Sequence, residues 1–182
     1  EEIERLIELV KNMLLISRVD SGLEKFDFNS IRLDDLLLTT TSRLRAKARE
    51  KKITIRYNIE EELEPLALEV LGERQLLDSL FENILDNAIK YSPFNSTVEL
   101  NIKMIDDCTE VWIKDEGPGI QGEFETVLNS RYLRETPHAA SGTGIGLPIA
   151  NKIAQFHNAK ILYRRLRPQG SLFIVQFCNI KD

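Results

Sequence analysis

Asn83-Ile84-Leu85-Asp86-Asn87-Ala88-Ile89-Lys90-Tyr91-Ser92-Pro93 ends a stretch, Gly72 to Tyr91, in which Leu76, Leu77, Leu80, Phe81, Ile84, Leu85 and Ala88 recur at helical spacing. Ser92-Pro93 closes the helix, because proline has no N–H to offer and crowds the turn before it. Asn83, Asn87 and Lys90 are spaced by four and three residues, so they share one face, turned away from Ile84, Leu85 and Ala88. Two amides and an ammonium on one stripe suit a hydrated cation with phosphates. An Asn carbonyl oxygen is a hard ligand fit for Mg²⁺, and Lys is a mobile point charge. Standing alone, such a stripe is more often an ordinary solvated face, so the other half of a site has to come from elsewhere in the chain.

Two glycine bends follow. Asp115-Glu116-Gly117-Pro118-Gly119-Ile120 comes directly after a strand. Its glycines let the backbone approach a flat ligand, and a carboxylate at a strand end can accept a hydrogen bond from an exocyclic amine. Gly142-Thr143-Gly144-Ile145-Gly146-Leu147 precedes a helix, where free backbone N–H groups face an anion at the positive end of the dipole. Neither a dinucleotide-binding fingerprint nor a Walker loop fits, for want of the glycine spacing of one and the Gly-Lys-Ser/Thr of the other. Gly170-Ser171-Leu172-Phe173 opens the last strand and is a weak signal by itself.

Between these motifs the pattern predicts a helix from Ser30 to Glu50 and strands at 53–59, 66–71, 97–105 and 109–115, the last two joined by an Asp106-Asp107 turn. A further helix runs from Ile145 to His157, with Asn158 as its left-handed cap, and strands at 160–166 and 171–177 finish the chain. This is no regular βαβ alternation. It predicts an α+β fold, a two-layer sandwich with one mixed sheet covered by helices on one face. Residues 121–141, polar and weakly periodic, read as a lid. Upstream, Ile3, Leu6, Ile7, Val10, Met13, Leu14 and Ser17 form a helical stripe that needs a partner, and Ser21-Gly22 ends it.

The 182 residues suit one domain with an appendage, and the chain opens in mid-pattern without an initiator Met, as a piece of something longer would. A net charge of −5 argues against nucleic acid and anionic lipid as partners. Apolar runs are a handful of residues long, far short of the ~20 that a membrane-spanning helix needs. Cys108 and Cys178 show neither metal-ligand spacing nor a disulfide framework, which reads as a reducing compartment.

The ordered set N-I-L-D-N-A-I-K-Y-S-P, D-E-G-P-G-I, G-T-G-I-G-L and G-S-L-F resembles the nucleotide-binding boxes of sensor histidine kinases of two-component systems, within the ATPase superfamily of gyrase, Hsp90 and MutL. The resemblance covers almost the whole chain. It implies that residues 1–22 are the second helix of a dimerisation and phosphoacceptor domain, 23–29 a linker and 30–182 a catalytic ATP-binding domain. Asn87 is then the Mg²⁺ ligand, with Asn83 supporting that face, Lys90 on phosphate and Tyr91 by the ribose or base. Asp115 accepts from the adenine amine, and Gly117, Gly119 and Ile120 shape the base pocket. Gly142, Thr143, Gly144, Gly146 and Leu147 wrap the phosphates, and Ser171 closes the adenine side. The implied ligands are ATP and Mg²⁺; the implied partners are a response regulator and a second copy, through a four-helix bundle. The implied location is cytoplasmic, with membrane attachment left to the rest of the protein.

Some positions depart from the family pattern. Glu116 replaces the usual Asn after the adenine-binding Asp, and the aromatic box before the second glycine bend is worn down to Val127-Leu128-Asn129-Ser130-Arg131-Tyr132. His-Gly-Gly appears as His157-Asn158-Ala159, and neither His138 nor His157 matches a phosphoacceptor motif, so both read as structural or solvated. Two other readings stay open. A hydrolytic ATPase needs a Glu where this chain has Asn83, and Glu82 is about 100° away around the helix. A degenerate module would act by nucleotide binding or dimerisation alone.

Overall fold

In a computed structural model of the chain, the described residues are 26–59, 68–120, 122–129 and 145–178, together with Ile3, Val10 and Leu14. The strands are β1 Asn29–Arg32, β2 Thr54–Ile59, β3 Glu69–Gly72, β4 Thr97–Ile105, β5 Cys108–Asp115, β6 Ala159–Arg165 and β7 Ser171–Cys178. The helices are α1 Leu33–Glu50, α2 Arg74–Tyr91, α3 Phe124–Asn129 and α4 Gly146–Phe156. Five strands form a mixed sheet in the order β2-β4-β5-β7-β6, with β2 and β4 parallel and the other pairs antiparallel. The expected α+β sandwich is the observed architecture.

Strand alternation decides what the sheet buries. Val98, Leu100 and Ile102 of β4, Val111 and Ile113 of β5, Phe173, Val175 and Phe177 of β7 and Ile161 of β6 join one core with the apolar faces of the helices. Leu33, Leu36, Leu37 and Leu44 come from α1, Leu77, Leu80, Phe81, Ile84 and Leu85 from α2, and Ile149 and Ile153 from α4. Phe81, Leu80, Ile84 and Leu85 are fully buried, so α2 is the central helix of the helical layer. Its polar stripe is thereby held at one fixed height above the sheet. Alternate residues lie on the other face, where Glu110 accepts from Trp112 Nε1 (2.6 Å) and Gln176 Nε2 (2.7 Å).

Several expectations shift. The helix expected from Ser30 begins at Leu33, because residues 29–32 pair instead with β3 as a separate two-stranded antiparallel sheet. Gly72, expected to open the long helix, is the last residue of β3; a Cβ there would lie 2.7 Å from Leu77 Cδ1 and 2.8 Å from His157 Cδ2. Glu73 is the N-cap of α2, its carboxylate accepting from Leu76 N at 2.7 Å. The Asp106-Asp107 turn is as expected, both residues having positive φ, as a two-residue hairpin requires. Asn158 takes the left-handed cap with φ 53°.

One expectation is overturned. Cys108 and Cys178 form a disulfide. They are 70 residues apart in sequence, but the antiparallel register of β5 and β7 sets them directly opposite each other. The inference to a reducing compartment, which rested on unpaired cysteines, loses that support. Among the described residues no helix is long and apolar enough to cross a membrane. Ile3, Val10 and Leu14 are helical and exposed; the rest of the N-terminal stripe, His138 and most of the 121–141 stretch lie outside the described residues.

Candidate functional site

Asn83, Asn87 and Lys90 are half-buried on one side of α2, and Tyr91, at its end, is 43% exposed. Asn83 is fixed by donating Nδ2–H to Ser79 O (2.8 Å). Its Oδ1 faces Gly146 so closely that a Cβ there would come within 2.7 Å. The first turn of α4, with Gly146 and half-buried Leu147, is therefore seated on the amide face of α2. Lys90 Nζ lies 5.0 Å from the Tyr91 ring centroid.

The first glycine bend meets the same helix at its C-terminal end. A Cβ on Gly117 would lie 3.1 Å from Tyr91 O and 2.9 Å from Asp115 Oδ1, so glycine is required for this approach. Asp115, the last residue of β5, is 4% exposed and accepts from Gly117 N at 2.7 Å. Burial pushes its carboxyl up from the ordinary value, and hydrogen bonds from Gly117 N and from Ser171 pull the other way. Ser171, also buried, pairs with Asp115 across the β5–β7 ladder. Gly119 takes φ +76°, and Ile120 packs partly against the core.

The structure thus brings Asn83, Asn87, Lys90, Tyr91, Asp115, Gly117, Gly119, Ile120, Gly146, Leu147 and Ser171 along the C-terminal half of α2 and the adjoining end of the sheet. Gly142, Thr143 and Gly144 lie outside the described residues. Glu116 turns away: its Oε1 accepts from Thr97 N at 2.9 Å and its main-chain oxygen from Gln169 Nε2 at 3.2 Å. Its carboxylate is engaged at the start of β4. Glu82 is exposed and lies 3.6 Å from Arg43 of α1, on another side of the helix from Asn83. His157 is buried and structural, as expected: Nε2 accepts from Glu73 N (3.0 Å), and the ring stands among Phe28 and Phe156.

Sequence reasoning missed three contacts. Tyr163 Oη accepts from Ile120 N at 2.7 Å, Arg165 donates to Pro118 O at 3.3 Å, and Lys51 Nζ caps the end of α2 on the carbonyls of Ile89, Lys90 and Ser92. None carries a local signal, since each joins residues 38 or more positions apart.

A helical amide face between two glycine bends, with a buried carboxylate behind one of them, matches the order of motifs along the chain. Residues 72–179 match the family described as histidine kinase-, DNA gyrase B- and HSP90-like ATPase. The chain belongs to this family. The match contains every candidate residue named above. Sensor protein QseC of Escherichia coli strain K12 is 31% identical over 168 residues, covering 92% of this chain and 36% of that protein. The chain thus spans about a third of the length of that curated relative. The Acinetobacter baumannii histidine kinase AdeS superposes with TM-score 0.78 at 18% identity, over 98% of this chain and 81% of that one. Full-length ShkA, solved with AMPPNP, gives 0.77 at 20% identity over 94% of this chain and 35% of its own. These superpositions establish the shared fold.

Proposed function

We propose that the chain is the ATP-binding catalytic core of a sensor histidine kinase, which transfers the γ-phosphoryl group of ATP to a histidine on a helix of the same protein for relay to a response regulator. The observation that carries the reading is the seating of both glycine bends against α2, Gly117 on Tyr91 and Gly146 on Asn83. A nucleotide laid along that helix has its base against Asp115 and its phosphates over Asn87 and Lys90. The sensor protein QseC likeness supports the same reading.

Asp115 accepts from the adenine amine, and Ser171 closes that side of the pocket. Gly117, Gly119 and Ile120 shape the base pocket, Tyr91 borders the ribose, and Thr143, Gly144, Gly146 and Leu147 wrap the phosphates. The donor set fits a hard divalent cation shared with phosphates: Asn87 is a half-buried amide whose carbonyl oxygen is a hard ligand, and such a cation takes its remaining ligands from phosphate and water. Asn87 would ligate Mg²⁺, which supplies charge neutralisation at the phosphates. The receiving imidazole nitrogen forms the N–P bond as the bond from γ-phosphorus to the bridging oxygen breaks, and ADP leaves with that electron pair. Imidazole is a competent nucleophile, so this chain's share is positioning and charge: Lys90 at the terminal phosphate and the backbone amides of the second bend. Residues 1–22 belong to the dimerisation bundle, and the domain works on the cytoplasmic side.

The hydrolytic reading is disfavoured, because Glu82 faces Arg43 and Asn83 stands where a general base is needed. Calorimetry with a non-hydrolysable ATP analogue and Mg²⁺ tests nucleotide binding: micromolar-range heat is expected, abolished by Asn87→Ala and by Asp115→Ala. Transfer of labelled phosphate to a separately supplied histidine-bearing domain tests the kinase step. No heat with the wild-type chain would favour the degenerate module instead.

A further inference from the structure

The bend that carries Gly117, Gly119 and Ile120 is held at both ends by side chains from different elements. At its start, Gly117 N donates to Asp115 Oδ1 at 2.7 Å. At its end, Ile120 N donates to Tyr163 Oη at 2.7 Å. Tyr163 is on β6, the edge strand two places from β5, so this second tie is purely tertiary. The phenol is itself held: its ring stacks on Phe124 at 5.0 Å between centroids, with an interplanar angle of 28°, and meets Phe173 at 5.3 Å. Gly119, at φ +76°, passes so close that a Cβ would sit 3.0 Å from Tyr163 Oη.

We propose that Tyr163 is the positioning residue for base recognition: its hydroxyl holds the Ile120 amide and thereby sets the bend at the height from which Asp115 reads the base. The inference rests on the nucleotide reading of Asp115 given above. Without the hydroxyl, a half-buried N–H has no acceptor, and the bend keeps only its ties at Gly117 N and, from the exposed Arg165, at Pro118 O. The base end of the site loosens while the phosphate end, built on α2 and α4, keeps its geometry.

The test is Tyr163→Phe, which keeps the ring against Phe124 and Phe173 and removes only the acceptor. Calorimetry uses three probes with Mg²⁺: a non-hydrolysable ATP analogue, its guanine counterpart and inorganic tripolyphosphate. The expected result is a loss of roughly five- to tenfold in affinity for the adenine analogue. Discrimination against guanine narrows, and tripolyphosphate binding stays unchanged. Equal affinity for the adenine analogue in variant and wild type overturns the proposal, and so does a parallel loss for tripolyphosphate, which a general structural role would produce. If the wild-type chain binds tripolyphosphate but no adenine analogue, the nucleotide reading falls and takes this one with it; wild-type binding with an indifferent variant sinks only the role of Tyr163. Should Tyr163→Phe fail to fold, hydrogen exchange at Ile120 in the nucleotide-free wild type decides: a protected amide supports the tie, and exchange at the rate of an open loop refutes it.

Discussion

The disulfide offers the sharpest energetic test of the fold. Cys108 opens β5 and Cys178 closes β7, and the bond between them closes a loop of 70 residues. A cross-link stabilises mainly by restricting the unfolded chain; for that loop length the chain-entropy relation gives about 15 cal/mol/K, or ~4.4 kcal/mol at 25 °C. Residual structure in the unfolded ensemble trims that figure. The β5–β7 ladder keeps the two residues opposite each other when the bond is cut, so the folded state changes little. Cys108→Ser with Cys178→Ser should lose about 3–4 kcal/mol, a fall of roughly 10 °C in Tm for a chain of this size. The assay is thermal and urea melting of wild type and double variant, each with and without a dithiol reductant. Reduced wild type should melt with the variant, and the variant should ignore the reductant. Nucleotide affinity is the internal control. Asp115 is at the opposite end of the eight-residue β5, about 24 Å away at ~3.4 Å per residue, and affinity should not move. Coincident melts for oxidised and reduced wild type would refute the reasoning.

Three other outcomes are expected. Lys51→Met removes an ammonium that donates to Ile89 O (3.1 Å), Lys90 O (2.7 Å) and Ser92 O (2.5 Å) at the end of α2, and should cost about 2 kcal/mol in urea unfolding, with partial recovery in Lys51→Arg. Gly170, at φ +126° with a Cβ position 2.6 Å from Asp115 O, should not tolerate alanine: Gly170→Ala is expected to lose about 2–3 kcal/mol and to weaken binding of the ATP analogue. Burial lowers the pKa of His157 below its ordinary value of 6.5, while the Ile153 carbonyl and the charge of Glu73 act in the other direction. Because the unfolded chain takes up the proton first, stability should be complete above pH 6.5 and decline as pH falls from there toward the depressed folded value; His157→Phe should flatten that slope in melts across pH 5–7.5.

What could be read locally and what could not divide cleanly. The α2 helix, the β4–β5 hairpin and the cap at Asn158 were legible because each depends on the spacing or conformational preference of neighbours within a few residues. The candidate site residues stand out as a set because their types and order are distinctive, although no single motif points to one place. Ser30 to Arg32 of β1 read as the start of a helix and Asn29 as linker, since Asn29–Arg32 has no strand pattern of its own and becomes a strand only by pairing with β3, whose residues lie about 40 positions on. Glu116 departs from the family pattern next to Asp115, and no local signal shows that its carboxylate accepts from Thr97 N of β4.

The amino-acid sequence by itself determined most of the elements, β1 and α3 excepted, which faces are apolar and which residue types are available for nucleotide chemistry, because helix and strand periodicity and glycine freedom act over short windows. Only the tertiary structure decided which distant residues meet: Cys108 with Cys178, Tyr163 with Ile120, Lys51 with the end of α2, Asn83 with Gly146. Those pairings follow from strand register and from the single way the apolar faces of sheet and helices close over one another, and that closure belongs to the whole core rather than to any segment of it.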